Sequence, residues 1–110
     1  MVDSKFVNDV AASFQEAVCD ILVAKTIYAA ITYQVETIVV TGGVSANERL
    51  RKKMAAAAKV ENKKCIFPYL SLTGDNAAMI GIVACLKAKN NGFDDINKLE
   101  VKPKVKWSFY

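Results

Sequence analysis

A chain of 110 residues with 15 Lys and Arg against 11 Asp and Glu, a formal charge of +4 and a pI near 9.0, makes one domain or part of one. A hydrophobic share of 53% and a mean hydropathy of +0.17 are high for a small domain standing alone, so either the core is generous or apolar surface is meant for a partner. The absence of histidine excludes Ser-His, Cys-His and His-metal chemistry supplied by this chain, while the basic charge fits an anionic partner such as nucleic acid only weakly.

Val7, Val10, Phe14, Val18 and Ile21 recur at helical spacing, with Gln15, Glu16 and Asp20 mostly between them. This predicts a long helix from about Val7 to Tyr33, with Ser4 or Asn8 near its cap. Thr37-Ile38-Val39-Val40 is a short β-branched run that suits a strand buried on both faces, and Gly42-Gly43 stops it. Ser45 is placed to cap a second helix from Ala46 to about Val60, whose alanine run favours helix. Glu61 to Lys64 reads as a turn, and Cys65-Ile66-Phe67 as a second strand closed by Pro68. A third helix is expected from Asp75 or Asn76 through Lys89, with Thr73 as its cap. Gly92 and Asp94-Asp95 end the regular part, and Leu99 to Tyr110 form a basic, aromatic tail.

The order helix, strand, helix, strand, helix predicts an α/β fold with a short parallel sheet and a right-handed crossover. Two parallel strands alone make a poor sheet, because their edges stay unpaired. The chain is therefore expected to be incomplete, pairing with further sequence, a second copy or a partner subunit, and the open edges favour self-association. Cys19, Cys65 and Cys85 lie far apart in apolar contexts without a CxxC pair, so reduced, buried thiols are expected rather than disulfides or a zinc site. No leader opens the chain, and the longest apolar run, Ala77 to Leu86, is too short to cross a bilayer, so a soluble cytoplasmic protein is expected, with no membrane contact.

The most informative pattern is Thr41-Gly42-Gly43-Val44-Ser45-Ala46-Asn47, followed by Asp75-Asn76. Glycine leaves backbone open, so a nucleotide can approach closely, and the following helix N-terminus adds a positive dipole end of about half a charge. Gly42-Gly43 also fits an ordinary strand-to-helix turn that needs positive φ. Asn47 could aim its amide at a ligand, or simply cap locally. Asp75 reads as a metal ligand or as a first-turn acid complementing a helix dipole. Arg49, Arg51, Lys52 and Lys53 form a basic run on the second helix that reads best as a solvated face. Lys102, Lys104 and Lys106 with Trp107, Phe109 and Tyr110 mix cations and aromatics as nucleic-acid surfaces do, although such a tail can equally pack on the core. Ser13 and Ser45 have no base nearby in sequence, so no nucleophile is indicated.

Jointly, Ala11-Ala12-Ser13-Phe14-Gln15-Glu16-Ala17, the Thr41 to Asn47 segment with Leu50-Arg51, and Pro68, Leu72 and Thr73-Gly74-Asp75-Asn76-Ala77-Ala78-Met79-Ile80 resemble, in order and spacing, the C-terminal part of the TsaD/Gcp (Kae/Qri-type) family. These are tRNA N6-adenosine threonylcarbamoyltransferases, once described as O-sialoglycoprotein endopeptidases of a glycoprotease family. The resemblance covers about residues 5 to 107. It implies that 1–110 is a single C-terminal lobe fragment of a two-lobed actin-like, Hsp70-like ATPase fold built from ribonuclease-H-like lobes. It implies transfer of the threonylcarbamoyl group from its adenylate, the substrate, to N6 of the adenosine beside the anticodon.

By the same resemblance, Gly42 and Gly43 lie against the adenylate, Asn47 contacts it, and Asp75 ligates one divalent metal ion, iron, zinc or magnesium. Position 74 is glycine where many members have threonine. The family's HxxxH histidines and glycine-rich loop are absent here, so the isolated segment is expected to bind neither metal nor adenylate tightly and to be inactive. Implied partners are tRNA and companion proteins, a paralogous subunit and a small ATPase or the KEOPS complex. A non-catalytic actin-like assembly subunit, docking a partner through its apolar helix, is the alternative. A sugar-kinase or chaperone-type lobe shares the Gly-Gly turn but not the other segments, and a peptidase finds neither a nucleophile-base pair nor a zinc motif.

Overall fold

A computed structural model describes residues 3–90 and 92–100, and it divides into two units, Met1–Asp75 and Asn76–Tyr110. The basic aromatic residues from Lys102 to Tyr110 lie outside the described residues.

In the first unit, helix α1 spans Ser4–Thr32. It starts a turn earlier than its apolar periodicity suggests because Asp3, rather than Ser4 or Asn8, caps it, its carboxylate accepting from the Lys5 N–H at 3.2 Å. Gln34, at φ +53°, turns the chain into strand β1, Thr37–Val39. Helix α2, Glu48–Val60, crosses to strand β2, Lys64–Ile66, which pairs with β1 in parallel, Thr37 opposite Lys64 and Val39 opposite Ile66.

α1 packs on α2, and the core has two centres. Cys19, Leu50 and Met54 form one, with Val23, Val40, Cys65 and Phe67 against it. Ala30, Ile38 and Ala58 form the other, where small side chains on both helices let them close over β1. Leu50, Met54 and Ala58 recur every fourth residue, so one stripe of α2 carries its whole buried face. The expected burial of β1 on both faces is not observed: both helices cover the side to which Ile38 points, and Val39, on the opposite side, is 61% exposed.

In the second unit, helix α3 spans Ala77–Lys89. Asn76 is its cap, its side-chain oxygen accepting from the Met79 N–H at 3.1 Å. Thr73 does not cap it; that hydroxyl donates instead to the Leu70 carbonyl at 2.8 Å, inside the 3-10 turn Leu70–Leu72. α3 is apolar on every side, with Met79, Ile80, Ile82, Val83 and Leu86 exposed. Cys85 on this helix is therefore exposed, contrary to expectation, whereas Cys19 is buried and Cys65 half-buried, its thiol pKa pushed up by desolvation. The Lys87 ammonium pairs with Asp94 at 2.7 Å, and Asp95 caps a 3-10 turn at Ile96–Lys98. Among the described residues no helix is long and apolar enough to cross a membrane.

Leu50 is 3% exposed at the contact of α1 with α2. Leu50→Ala should lower the unfolding free energy by about 2–5 kcal/mol, the lost transfer energy plus the cavity left behind, measured by urea titration.

Candidate functional site

The ladder from β1 continues through the Val40 N–H, which donates to the Ile66 carbonyl at 3.0 Å, and then breaks at Gly42. Gly42 sits at φ +87°, a left-handed conformation that strains any side chain. A 3-10 turn follows over Gly43–Ala46, with Ser45 N–H donating to the Gly42 carbonyl at 2.9 Å and Asn47 N–H to that of Val44 at 3.0 Å. A Cβ built on Gly42 or Gly43 meets nothing within 4 Å, so both glycines border open space and the turn presents bare backbone to it. The requirement for glycine is thus conformational at Gly42, while Gly43 keeps the approach clear.

The 3-10 turn shifts the start of α2 beyond the expected Ala46. Ser45 does not cap it. Ser45 is 1% exposed, with its hydroxyl buried and without a hydrogen-bond partner. Asn47 caps instead: its Oδ1 accepts from the Leu50 N–H at 3.0 Å, while its Nδ2 donates to Gln15 Oε1 on α1 at 2.9 Å. Because the Leu50 N–H can only donate, the amide orientation follows, and Nδ2 keeps one hydrogen free of these two bonds. An apolar groove of about 190 Å³ runs beside this junction, lined by Phe14, Gln15, Val18, Val44, Asn47 and Leu50 among others.

The basic run on α2 is only in part the solvated face that its composition suggests, with Arg49 and Lys52 exposed and Arg51 and Lys53 half-buried. Glu16 on α1 accepts from Arg49 through both carboxylate oxygens at 2.7 Å, and from Lys53 at 2.6 Å; Lys53 also bonds Asp20. The Arg49 and Lys53 hydrogen bonds lower the Glu16 pKa to about 2, and Glu16 and Asp20 raise those of their cationic partners. Arg51 faces another way. Its Nε donates to the Ser45 carbonyl at 2.5 Å and its Nη2 to the Pro68 carbonyl at 2.9 Å, with the guanidinium 5.1 Å from the centre of the Phe67 ring. Lys52, 75% exposed and 3.7 Å from Glu48 one turn away, fits the expectation, and Arg49 remains 48% exposed even while paired.

Asp75 is exposed, just beyond the turn Leu70–Leu72, and is not among the residues lining the groove beside Asn47. Among the described residues no group of three or more His, Cys, Asp or Glu is placed to hold a metal ion. One carboxylate falls short of the four or more ligands such ions usually take, so these residues do not by themselves make a metal centre. Sequence reasoning singled out Gly42, Gly43, Asn47 and Asp75 but missed Gln15 as the partner of Asn47 and Arg51 as a tie between segments. Both lie within the stretches that carry the family resemblance, which was the available signal.

The capped turn, its α1 partner and the Asp75 segment all fall within residues 2–82, which match the family model TsaD, tRNA N6-adenosine threonylcarbamoyltransferase. The chain belongs to the TsaD family. Curated relatives named tRNA N6-adenosine threonylcarbamoyltransferase include one from Listeria monocytogenes serotype 4b, 49% identical over 92 residues, covering 79% of this chain and 27% of the relative. One from Kosmotoga olearia is 48% identical over 91 residues, 83% of this chain and 28% of the relative. Another, from Gloeothece citriformis, is 54% identical over 78 residues, 71% of this chain and 22% of the relative. The chain thus spans about a quarter of the length of the TsaD relatives it matches. The TsaD model match ends at residue 82, short of the expected 107.

The Glu16 carboxyl, held at about 2 in the folded state against an ordinary 4.5, stabilises the fold while ionised. That contribution is fully present above pH 4.5 and is lost as pH falls from 4.5 toward 2. Glu16→Gln should therefore lower the melting temperature at pH 6 and flatten its fall between those limits, read by thermal melts across pH. An unchanged acid limb in the variant would remove Glu16 as its cause.

Proposed function

We propose that this chain is a segment of a tRNA N6-adenosine threonylcarbamoyltransferase, which in the intact protein moves the threonylcarbamoyl group from its adenylate to N6 of the adenosine beside the anticodon. The observation that supports this most directly is the Gly42–Asn47 turn: a left-handed glycine, bare backbone facing open space, and a side-chain amide held in place with a donor hydrogen to spare. Membership of the TsaD family supplies the reaction class.

In this reading the lobe belongs to an actin-like, ribonuclease-H-like fold whose cleft is closed by the remaining three-quarters of the protein. The adenylate is already activated, so the attacking amine forms the new C–N bond as the bond to AMP breaks, and the amine loses its proton. What this chain contributes is placement. Gly42 and Gly43 let the nucleotide lie on the backbone, and the N-terminus of α2 offers its positive end to the phosphate. Asn47 donates its remaining N–H to a ligand oxygen. Asp75 would supply one ligand of a divalent metal, iron, zinc or magnesium, whose other donors come from outside this chain. That metal, when bound, polarises oxygens of the ligand. The isolated 110 residues are then inactive and bind adenylate weakly. The working protein is cytoplasmic and acts on tRNA with companion proteins of the threonylcarbamoyladenosine machinery.

Two substitutions separate cap from ligand contact at Asn47. In the full-length protein, Asn47→Ala removes both, costing about 0.5–2 kcal/mol of stability as well as ligand affinity. Asn47→Asp keeps an oxygen for the Leu50 N–H but loses the donor to Gln15, so it should melt between the unsubstituted protein and Asn47→Ala while binding the adenylate about tenfold more weakly. Equal adenylate affinity in Asn47→Asp would leave that residue as a cap alone. Asp75→Ala should abolish bound metal, by elemental analysis, and most modified tRNA; full metal content and activity would remove that assignment.

A further inference from the structure

We propose that Arg51 is a positioning residue that fixes the spacing between the Gly42–Asn47 turn and the segment from Pro68 to Asp75. This rests on the function proposed above, because those are the two stretches of the chain that would face the ligand.

The argument begins with what each bond holds. Ser45, whose carbonyl accepts from Arg51 Nε, stands in the middle of the 3-10 turn and two residues before Asn47. Its own hydroxyl is buried without a hydrogen-bond partner, so that hydroxyl makes no bond that ties the turn to Pro68, and the carbonyl bond to Arg51 does. Pro68, whose carbonyl accepts from Arg51 Nη2, begins the stretch that ends seven residues later at Asp75. That stretch is wound on itself: Leu72 N–H donates to the Tyr69 carbonyl at 2.9 Å, and both the N–H and hydroxyl of Thr73 donate to Leu70. Thr73 is also 7% exposed, which anchors the far end of the winding. A clamp on Pro68 therefore carries through to Thr73, two residues before Asp75.

The chemistry of the clamp explains why arginine occupies position 51. Two carbonyls 23 residues apart in sequence must be held at once, while the Phe67 ring faces the cation. A planar guanidinium offers donors in fixed directions and a flat face for an aromatic, whereas a lysine ammonium is a single compact charge. Both acceptors are main-chain carbonyls, so the clamp acts on the backbone directly.

The experiment uses two readouts. In the full-length protein, Arg51→Met should raise KM for threonylcarbamoyl-adenylate about 10- to 100-fold, as expected for misplacement by about 1 Å, with KM for tRNA unchanged. Arg51→Lys, which keeps the charge and can still donate to one of the two carbonyls, should show a smaller rise in the same constant. In the 110-residue chain, amide hydrogen exchange in either variant should quicken at Ser45–Asn47 and Leu70–Asp75 together, with α1 unaffected. An unchanged KM for the adenylate, or exchange that quickens uniformly through α1, α2 and both strands, would overturn the proposal and leave Arg51 as ordinary support. If the unsubstituted full-length protein makes no modified tRNA, the proposed function falls and this inference with it, so that control separates the two failures.

Discussion

The side-chain amide of Asn47 is bonded at both ends, and that pair of bonds sets how the first unit is assembled. The oxygen fixes where α2 begins, and the nitrogen fixes α2 against α1 through Gln15. Once α2 starts there, its faces are assigned by the helical repeat. Leu50, Met54 and Ala58 turn to the core, and Arg49 and Lys53 turn to Glu16 and Asp20, themselves one turn apart on α1. Arg51 is left to reach back to the Gly-Gly turn and across to the end of β2. Exposed ion pairs contribute little singly. Here three of them share Glu16 and Lys53, so they act on one contact and reinforce the register that Asn47 and Leu50 already set.

The apolar content of the chain exceeds what its core uses. Parallel strands normally have both faces covered, and a helix apolar on every side normally lies inside a protein. β1 leaves Val39 exposed, and α3 exposes Ile80 and Ile82 at 70% and 63%. These surfaces carry the chemistry of an interior without being one. Relatives of the TsaD family are about three times as long, which agrees with a fold that the remainder of such a protein would finish. The high hydrophobic share was readable from composition, and the structure shows where it goes.

Much of the fold was legible in the sequence because it depends on local rules. The long periodic helix, the β-branched strand, the Gly-Gly stop and the alanine-rich helix all appear in the expected order, since propensity and periodicity act over a few residues. The caps were not legible. Ser45 and Asn47 are both good cap residues two positions apart, and the choice turned on the 3-10 turn that the φ of Gly42 sets up. Thr73 and Asn76 posed the same choice before α3, and the residue adjoining the helix won. The roles of the basic run were hidden for a different reason. Arg49 and Lys53 find acids 33 and 37 positions away, and Arg51 finds a carbonyl 17 positions away, so composition alone made them look like a solvated face.

The same geometry bears on why a cap residue would also serve a ligand. A free asparagine pays to order its side chain when it binds, about 0.5–1.5 kcal/mol for an immobilised group of this kind. Asn47 has already met that cost in folding, because the Leu50 and Gln15 bonds hold its rotamer and so fix the direction of its remaining N–H. The bare backbone at Gly42 and Gly43 is equally preset, one by its φ and the other by the turn that follows. Under the proposed function, the groups that build the start of α2 are also those that meet the nucleotide, so a change that loosens the cap and a change that weakens binding fall on the same atoms. The oxygen of Asn47 serves the fold, and its nitrogen serves both fold and site, one hydrogen on Gln15 and the other left for the ligand.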